Sequence, residues 1–148
     1  MSPKRIFLDA NILVTVLCNE YPRFGACARV LSLADDERFT VHTSPLCLAI
    51  GAYFAEKKLR NKAGGKKLAR KKIELLAERL KITKIGGEAV RSALANRKIL
   101  DLEDGFQYYS AMDAKCEVIV SYDKRDFHFS TLEVLDAQEF LFRYVVGR

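Results

Sequence analysis

The sequence predicts an α/β fold, a three-layer α/β/α sandwich whose parallel sheet of about five strands lies between helices. Three observations point there. Short apolar runs such as Ile6-Phe7-Leu8 and Val118-Ile119-Val120 have no polar face, so both of their sides must be buried. Stretches with apolar residues at helical spacing separate these runs, an order that makes right-handed crossovers and a parallel sheet. A chain of 148 residues, 49% hydrophobic and 30% charged, has the size and composition of one domain, 1–148, with no repeat, low-complexity tract or linker to divide it.

The first strand, Ile6 to Leu8, ends at Asp9. Ile12, Leu13, Val16 and Leu17 then recur at helical spacing behind Asn11, and Ala26, Cys27, Val30, Leu31 and Ala34 do so after a break around Pro22. Phe39 to Thr43 alternates as a strand and runs into Ser44-Pro45, an N-cap followed by proline at the first helical position. The helix this opens, Pro45 to Lys58, is apolar on every side from Leu46 to Phe54, which predicts packing on the sheet and on something further. After Gly64-Gly65, the residues Ala69, Ile73, Leu76 and Leu80 mark the buried stripe of another helix. Ile82 to Ile85 reads as a short strand, Glu88 to Arg97 and Glu103 to Ala114 as helices, the second capped by Asp101. Val118 to Ser121 is a buried strand ending at Tyr122-Asp123, and a last strand, Leu132 to Leu135, leads into a C-terminal helix. In such sheets ligands bind beyond the carboxyl ends of the strands.

Charge is unevenly placed. The formal net charge is +6, yet Lys57 to Lys72 carries nine of the 25 basic residues and none of the 19 acidic ones, so the remainder is slightly acidic. That asymmetry suits a local polyanion-binding face on a body that also carries carboxylates. Cys18, Cys27, Cys47 and Cys116 lie in apolar stretches without CxxC spacing or histidines to complete a zinc site, and read as buried free thiols. No run resembles a signal peptide or a membrane span, and a cytoplasmic setting is expected. His42 and His128 are isolated and read as structural.

Placed on the sheet, Asp9 follows one strand, Asp123 and Asp126 follow another, and Asp104 opens a helix that precedes the second. Convergent carboxylates completed by water and phosphate oxygens suit Mg²⁺ or Mn²⁺, which can activate a water and offset charge on a phosphate under attack. Each acid also has a purely structural reading. Asp9 can cap the helix behind it, Asp104 suits the first turn after Asp101, and Asp123 and Asp126 sit where aspartate bonds its own turn. Joint placement is what favours a site.

The segments Phe7-Leu8-Asp9-Ala10-Asn11-Ile12-Leu13, Asp101-Leu102-Glu103-Asp104 and Val118-Ile119-Val120-Ser121-Tyr122-Asp123-Lys124-Arg125-Asp126-Phe127 together resemble the PIN domain family. The resemblance spans nearly the whole chain and implies a PIN-like α/β/α sandwich. It also implies the activity of the family's VapC-like toxins, Mg²⁺- or Mn²⁺-dependent ribonucleases. By position it makes Asp9, Asp104 and Asp123 catalytic and metal-binding, adds Asp126 to the metal ligands, and leaves Asn11, Glu103 and Ser121 as assisting neighbours. The family's second acid usually stands on the helix after the Ser-like cap, where this chain has Ile50; Ser44 to Ala49 looks like a bacterial subgroup in which that position is often not acidic.

Lys57, Lys58, Lys66, Lys67, Arg70 and Lys71, around the Gly64-Gly65 turn, are candidates to hold an RNA backbone without reading its sequence, or else form a solvated helical face. Tyr108, Tyr109 and Tyr122 are base-stacking candidates or core. The reading is therefore a toxin-type endoribonuclease with RNA as substrate, an antitoxin protein as partner and a homodimer formed through the all-apolar helix. An alternative is a catalytically weak PIN-fold module that binds RNA or a protein. A small phosphohydrolase is a third class, but Asp9-Ala10-Asn11 lacks the second aspartate such enzymes use as an acid.

Overall fold

The computed structural model describes residues 2–146, in which five parallel strands form one sheet in the order β3-β2-β1-β4-β5. β1 (Lys4–Leu8) is central, flanked by β2 (Phe39–Thr43) and β4 (Val118–Val120), with β3 (Lys81–Ile82) and β5 (Glu133–Leu135) at the edges. Its helices are α1 (Ala10–Leu17), α2 (Phe24–Ser32), α3 (Pro45–Leu59), α4 (Gly65–Arg79), α5 (Gly87–Ala95), α6 (Leu102–Asp113) and α7 (Ala137–Leu141). They complete the predicted sandwich: α1 packs against α2 and α3, α3 against α4, α2 against α7 and α5 against α6.

The apolar runs account for this order. Ile6, Phe7, Leu8, Ile119 and Val120 are fully buried, each side chain contributing about 1.5–3 kcal/mol of transfer free energy, which places β1 and β4 where both sheet faces are covered. From β1 the chain builds outward to β2 and β3, then returns to lay β4 on the opposite side of β1. The reversal between β1 and β4 opens a crevice at their carboxyl ends, and Asp9 and Ser121 are the residues that enter it.

The caps follow the predicted chemistry. Ser44 Oγ accepts from the Cys47 N–H at 3.0 Å with Pro45 at the head of α3, and Asp101 accepts from the Glu103 N–H at 2.9 Å to open α6. The all-round apolar character of α3 has a plain cause, since it is wedged between α1 and α4; Tyr53 and Phe54 nevertheless stay 61% and 40% exposed. The α3–α4 turn depends on its two glycines. Gly64 has φ +69°, and a Cβ on Gly65 would lie 1.9 Å from the Leu59 carbonyl oxygen.

One boundary differs from expectation. β3 is only Lys81–Ile82, paired with His42–Thr43, rather than Ile82 to Ile85. The Thr83 N–H still donates to the Thr43 carbonyl at 2.8 Å, but Thr83 Oγ1 and the Lys84 carbonyl turn to Ser110 Oγ at 2.5 and 2.9 Å, and side-chain bonding takes over from the strand ladder. All four cysteines are free and buried, as predicted.

Candidate functional site

Asp9 continues β1 by donating its N–H to the Val120 carbonyl at 3.0 Å, then caps α1, its Oδ1 accepting from the Ala10 N–H at 2.8 Å. The capping reading holds and leaves the second oxygen available, because Oδ1 caps the helix while Oδ2 faces Ser121. Ser121 Oγ donates to Asp9 Oδ2 at 2.7 Å and accepts from the Asp123 N–H at 3.0 Å. Asn11 ties the two strand ends together: its Nδ2 lies 3.1 Å from Asp123 Oδ2, 3.1 Å from Ser121 Oγ and 3.5 Å from Asp9 Oδ2, while its Oδ1 accepts from the Tyr122 N–H at 3.3 Å.

Asp104 arrives from α6. It is 6% exposed, and among the described residues its carboxylate accepts no hydrogen bond. Burial pushes its pKa from 3.8 to about 8, and the charges of Asp9, Asp101, Asp126 and Asp123 add to the effect. Burial likewise raises Asp9 to about 6 against the hydrogen bonds from Ser121 and Ala10, and raises Glu103 above the ordinary glutamate value, with Asp101 and Asp123 adding. Asp9, Glu103, Asp104 and Asp123 line one cavity of about 320 Å³ together with Asn11 and Ile50.

A model of the PIN domain matches residues 5–125, most of the chain. The chain belongs to the PIN domain family. Solved structures of similar fold include VapBC2 from Rickettsia felis bound to a DNA fragment from their promoter, at 20% identity and a TM-score of 0.64 over 89% of this chain and 98% of that one. Another is VapC20 of Mycobacterium tuberculosis, a sarcin-ricin loop cleaving toxin, at 14% identity and a TM-score of 0.65 over 88% of this chain and 98% of that one. No curated protein sequence matches the chain.

Within this PIN domain the predicted acids separate into two groups. Asp9, Asp104, Asp123 and Glu103 come together with Asn11, whereas Asp126 is exposed on the 3-10 turn Lys124–Phe127 and acts on Asp104 only through its charge. Ile50 does face the cluster, at the place where an acid would be expected on α3. The donor set of the PIN cavity is oxygen throughout, with neither thiol nor imidazole, which fits a hard divalent cation better than zinc. Among the described residues, no three His, Cys, Asp or Glu side chains are arranged so that they could hold a metal ion together. An ion here would take few ligands from the protein and the rest from water and substrate.

Glu20, Arg23 and Phe54 also line the cavity, and sequence reasoning missed all three. The one local signal was Asn19, whose left-handed backbone (φ 51°) ends α1 and turns Glu20 back until its N–H reaches the Thr15 carbonyl at 3.0 Å. Of the tyrosines, Tyr108 is buried, Tyr109 accepts from Asn96 at 3.2 Å away from the acids, and only Tyr122 borders the site.

The basic stretch divides. Lys66, Lys67 and Arg70 edge a groove of about 580 Å³ between α3 and α4, floored by Ala52 and Ile73, and Lys57 and Lys71 are exposed. Lys58 instead donates to the Cys18 carbonyl, and Lys72 to the Leu17 carbonyl at 3.1 Å, so both serve the C-terminus of α1.

Proposed function

We propose that this PIN domain, read as one unit over residues 1–148, is a divalent-metal-dependent endoribonuclease of the toxin type, with Mg²⁺ or Mn²⁺ drawn into the cavity of Asp9, Asp104 and Asp123 on few direct protein ligands and completed by water and substrate oxygens. The observation that carries the reading is Asp104, a largely buried residue whose carboxylate opens onto the cavity. It accepts no hydrogen bond among the described residues and shares one cavity with Asp9, Glu103 and Asp123 at the carboxyl end of the sheet. Such an arrangement is unfavourable unless a cation or a proton offsets it, and it is a familiar cost of a catalytic centre.

The protein's own groups have distinct roles. Asp9 is oriented by its cap to Ala10 and by Ser121, and Asn11 fixes Asp123 against Asp9, so the ligands are set before substrate arrives. Asp104, raised to about 8, is the group able to carry a proton near neutrality. A bound ion supplies Lewis-acid neutralisation of the phosphate and acidifies water for attack. The test is cleavage of a labelled RNA under Mg²⁺ and Mn²⁺ titration. Asp9→Asn and Asp104→Asn should each abolish metal-dependent cleavage while circular dichroism stays unchanged; cleavage surviving in both would overturn the site.

Ile50 favours a second reading, a weakly catalytic PIN module that binds RNA or a protein, because it withholds a carboxylate from the cavity. Retention of RNA without cleavage at any metal concentration would select it. Similarity to VapBC2 bound to a promoter DNA fragment and to the sarcin-ricin loop cleaving toxin VapC20 supports an antitoxin partner. The exposed Tyr53 on α3 supports self-association through that helix, and light scattering of Tyr53→Glu against the parent chain reads it. Among the described residues no helix is long and apolar enough to cross a membrane.

A further inference from the structure

Arg23 stands out on the rim of the carboxylate cavity. Among the described residues five acids line that space, Asp9, Glu20, Glu103, Asp104 and Asp123, and Arg23 is the one cation lining it. Among the described residues Arg23 makes no ion pair, even though Glu20 shares the cavity with it. Its guanidinium carbon instead sits over the ring of Tyr122, 3.9 Å from the centroid. Tyr122 is itself anchored, its hydroxyl donating to Gln138 Oε1 at 2.5 Å and its N–H to Asn11 Oδ1 at 3.3 Å. Stacking occupies the face of a guanidinium and leaves its in-plane N–H groups free, which is the pre-organised form for bidentate contact with an oxyanion. Phe54, one helical turn beyond Ile50 on α3, also lines the cavity and is 40% exposed.

We propose that Arg23 and Phe54 clamp one unpaired nucleotide of the RNA, Arg23 holding a phosphate beside the scissile one and Phe54 stacking on its base. The inference rests on the ribonuclease reading and deepens it by naming the two residues that hold the strand beside the reacting phosphate. A polyanion entering a pocket of five acids needs a fixed positive contact besides any metal, and Arg23 is already positioned to make it. A cavity of about 320 Å³ lies at the small end of ligand pockets and admits one unstacked nucleotide, whereas a base-paired strand cannot present its base to Phe54.

Steady-state cleavage of a single-stranded oligonucleotide in Mn²⁺ tests the clamp, with the same strand annealed to its complement beside it. Arg23→Gln should raise KM about tenfold or more with kcat little changed, the mark of lost uniform binding. It should also flatten the salt dependence of KM by about 0.7 of a log unit per log unit of salt. Arg23→Lys should restore the salt slope but not the full affinity, because the charge returns without the planar fork. Phe54→Ala should raise KM on the single strand, and the duplex should be a poor substrate throughout. Arg29→Gln, an exposed cation of α2 outside the cavity, should behave as the parent. If the parent cleaves RNA while Arg23→Gln keeps both KM and salt slope, or the duplex is cleaved as well as the single strand, the clamp is wrong and the ribonuclease reading stands. If the parent neither binds nor cleaves single-stranded RNA, both fall together.

Discussion

On the proposed reading, Ile50 is the residue on which catalytic strength turns. Its side chain lines the cavity with Asp9, Asp104 and Asp123, so Ile50→Glu would add a carboxylate to the existing set. Calorimetry with Mn²⁺ should show tighter binding in Ile50→Glu than in the parent chain, together with a loss of stability of about 1–3 kcal/mol in metal-free buffer from the buried charge. Equal affinity in the two would mean that Glu20 or Glu103 already completes the shell. His42 offers a pH effect independent of the cluster. Burial, with Arg5 and Lys81 adding, lowers its pKa from 6.5 to about 4, so the folded state holds it neutral where the unfolded chain would protonate it. A depressed folded pKa gives stability that is full above about 6.5 and lost as pH falls toward 4, about 2 kcal/mol between pH 7 and pH 5. Urea midpoints at those two pH values should therefore fall more for the parent than for His42→Gln, and identical falls would count against a neutral buried ring.

The α3–α4 hairpin is where the element scale matters, since it carries the basic stretch and its geometry hangs on one turn. Gly65→Ala would press a methyl group onto the Leu59 carbonyl oxygen and should cost about 2–4 kcal/mol, read from the denaturant midpoint. Reversing charge at Lys66, Lys67, Arg70 and Lys71 should weaken RNA binding across all sequences and flatten its salt dependence; an unchanged slope would leave these residues as a solvated face. Lys58 and Lys72 belong to stability instead, because they hold the last carbonyls of α1. The sequence displayed the strands and helices clearly, since buried runs and caps such as Ser44-Pro45 are local signals. It displayed the nine basic residues of 57–72 but not which of them bend back onto α1, because that depends on how α3 crosses α1. Asp9, Asp104 and Asp123 were legible from their positions at element ends; Glu20 and Arg23 were not, for they reach the cavity only through the fold of the α1–α2 turn.

At the scale of the whole molecule, the sheet order concentrates repulsion at one place. The switch between β1 and β4 gathers Asp9 and Asp123, α6 delivers Asp104 and Glu103 to the same crevice, and only Arg23 among the cavity residues offsets them. Ion pairs elsewhere, such as Lys124–Glu139 at 2.7 Å, lie on the surface and contribute little to this balance. On the proposed reading the fold carries a local destabilisation that a cation would relieve, an exchange of stability for function. It follows that Asp104→Asn, which removes one of several neighbouring carboxylates and puts a neutral amide of the same shape in its place, should be more stable than the parent chain in chelator at pH 8. The gain should be on the order of 1 kcal/mol, a rise of a few degrees in Tm. Millimolar Mn²⁺ should then raise the Tm of the parent by mass action and leave Asp104→Asn almost unmoved, because the variant has lost the charge that draws the ion in. Melting curves of both chains, with chelator and with Mn²⁺, decide the matter. A variant that melts below the parent without metal would show that Asp104 is held by favourable contacts, and equal Mn²⁺ shifts in the two chains would place the ion away from this carboxylate.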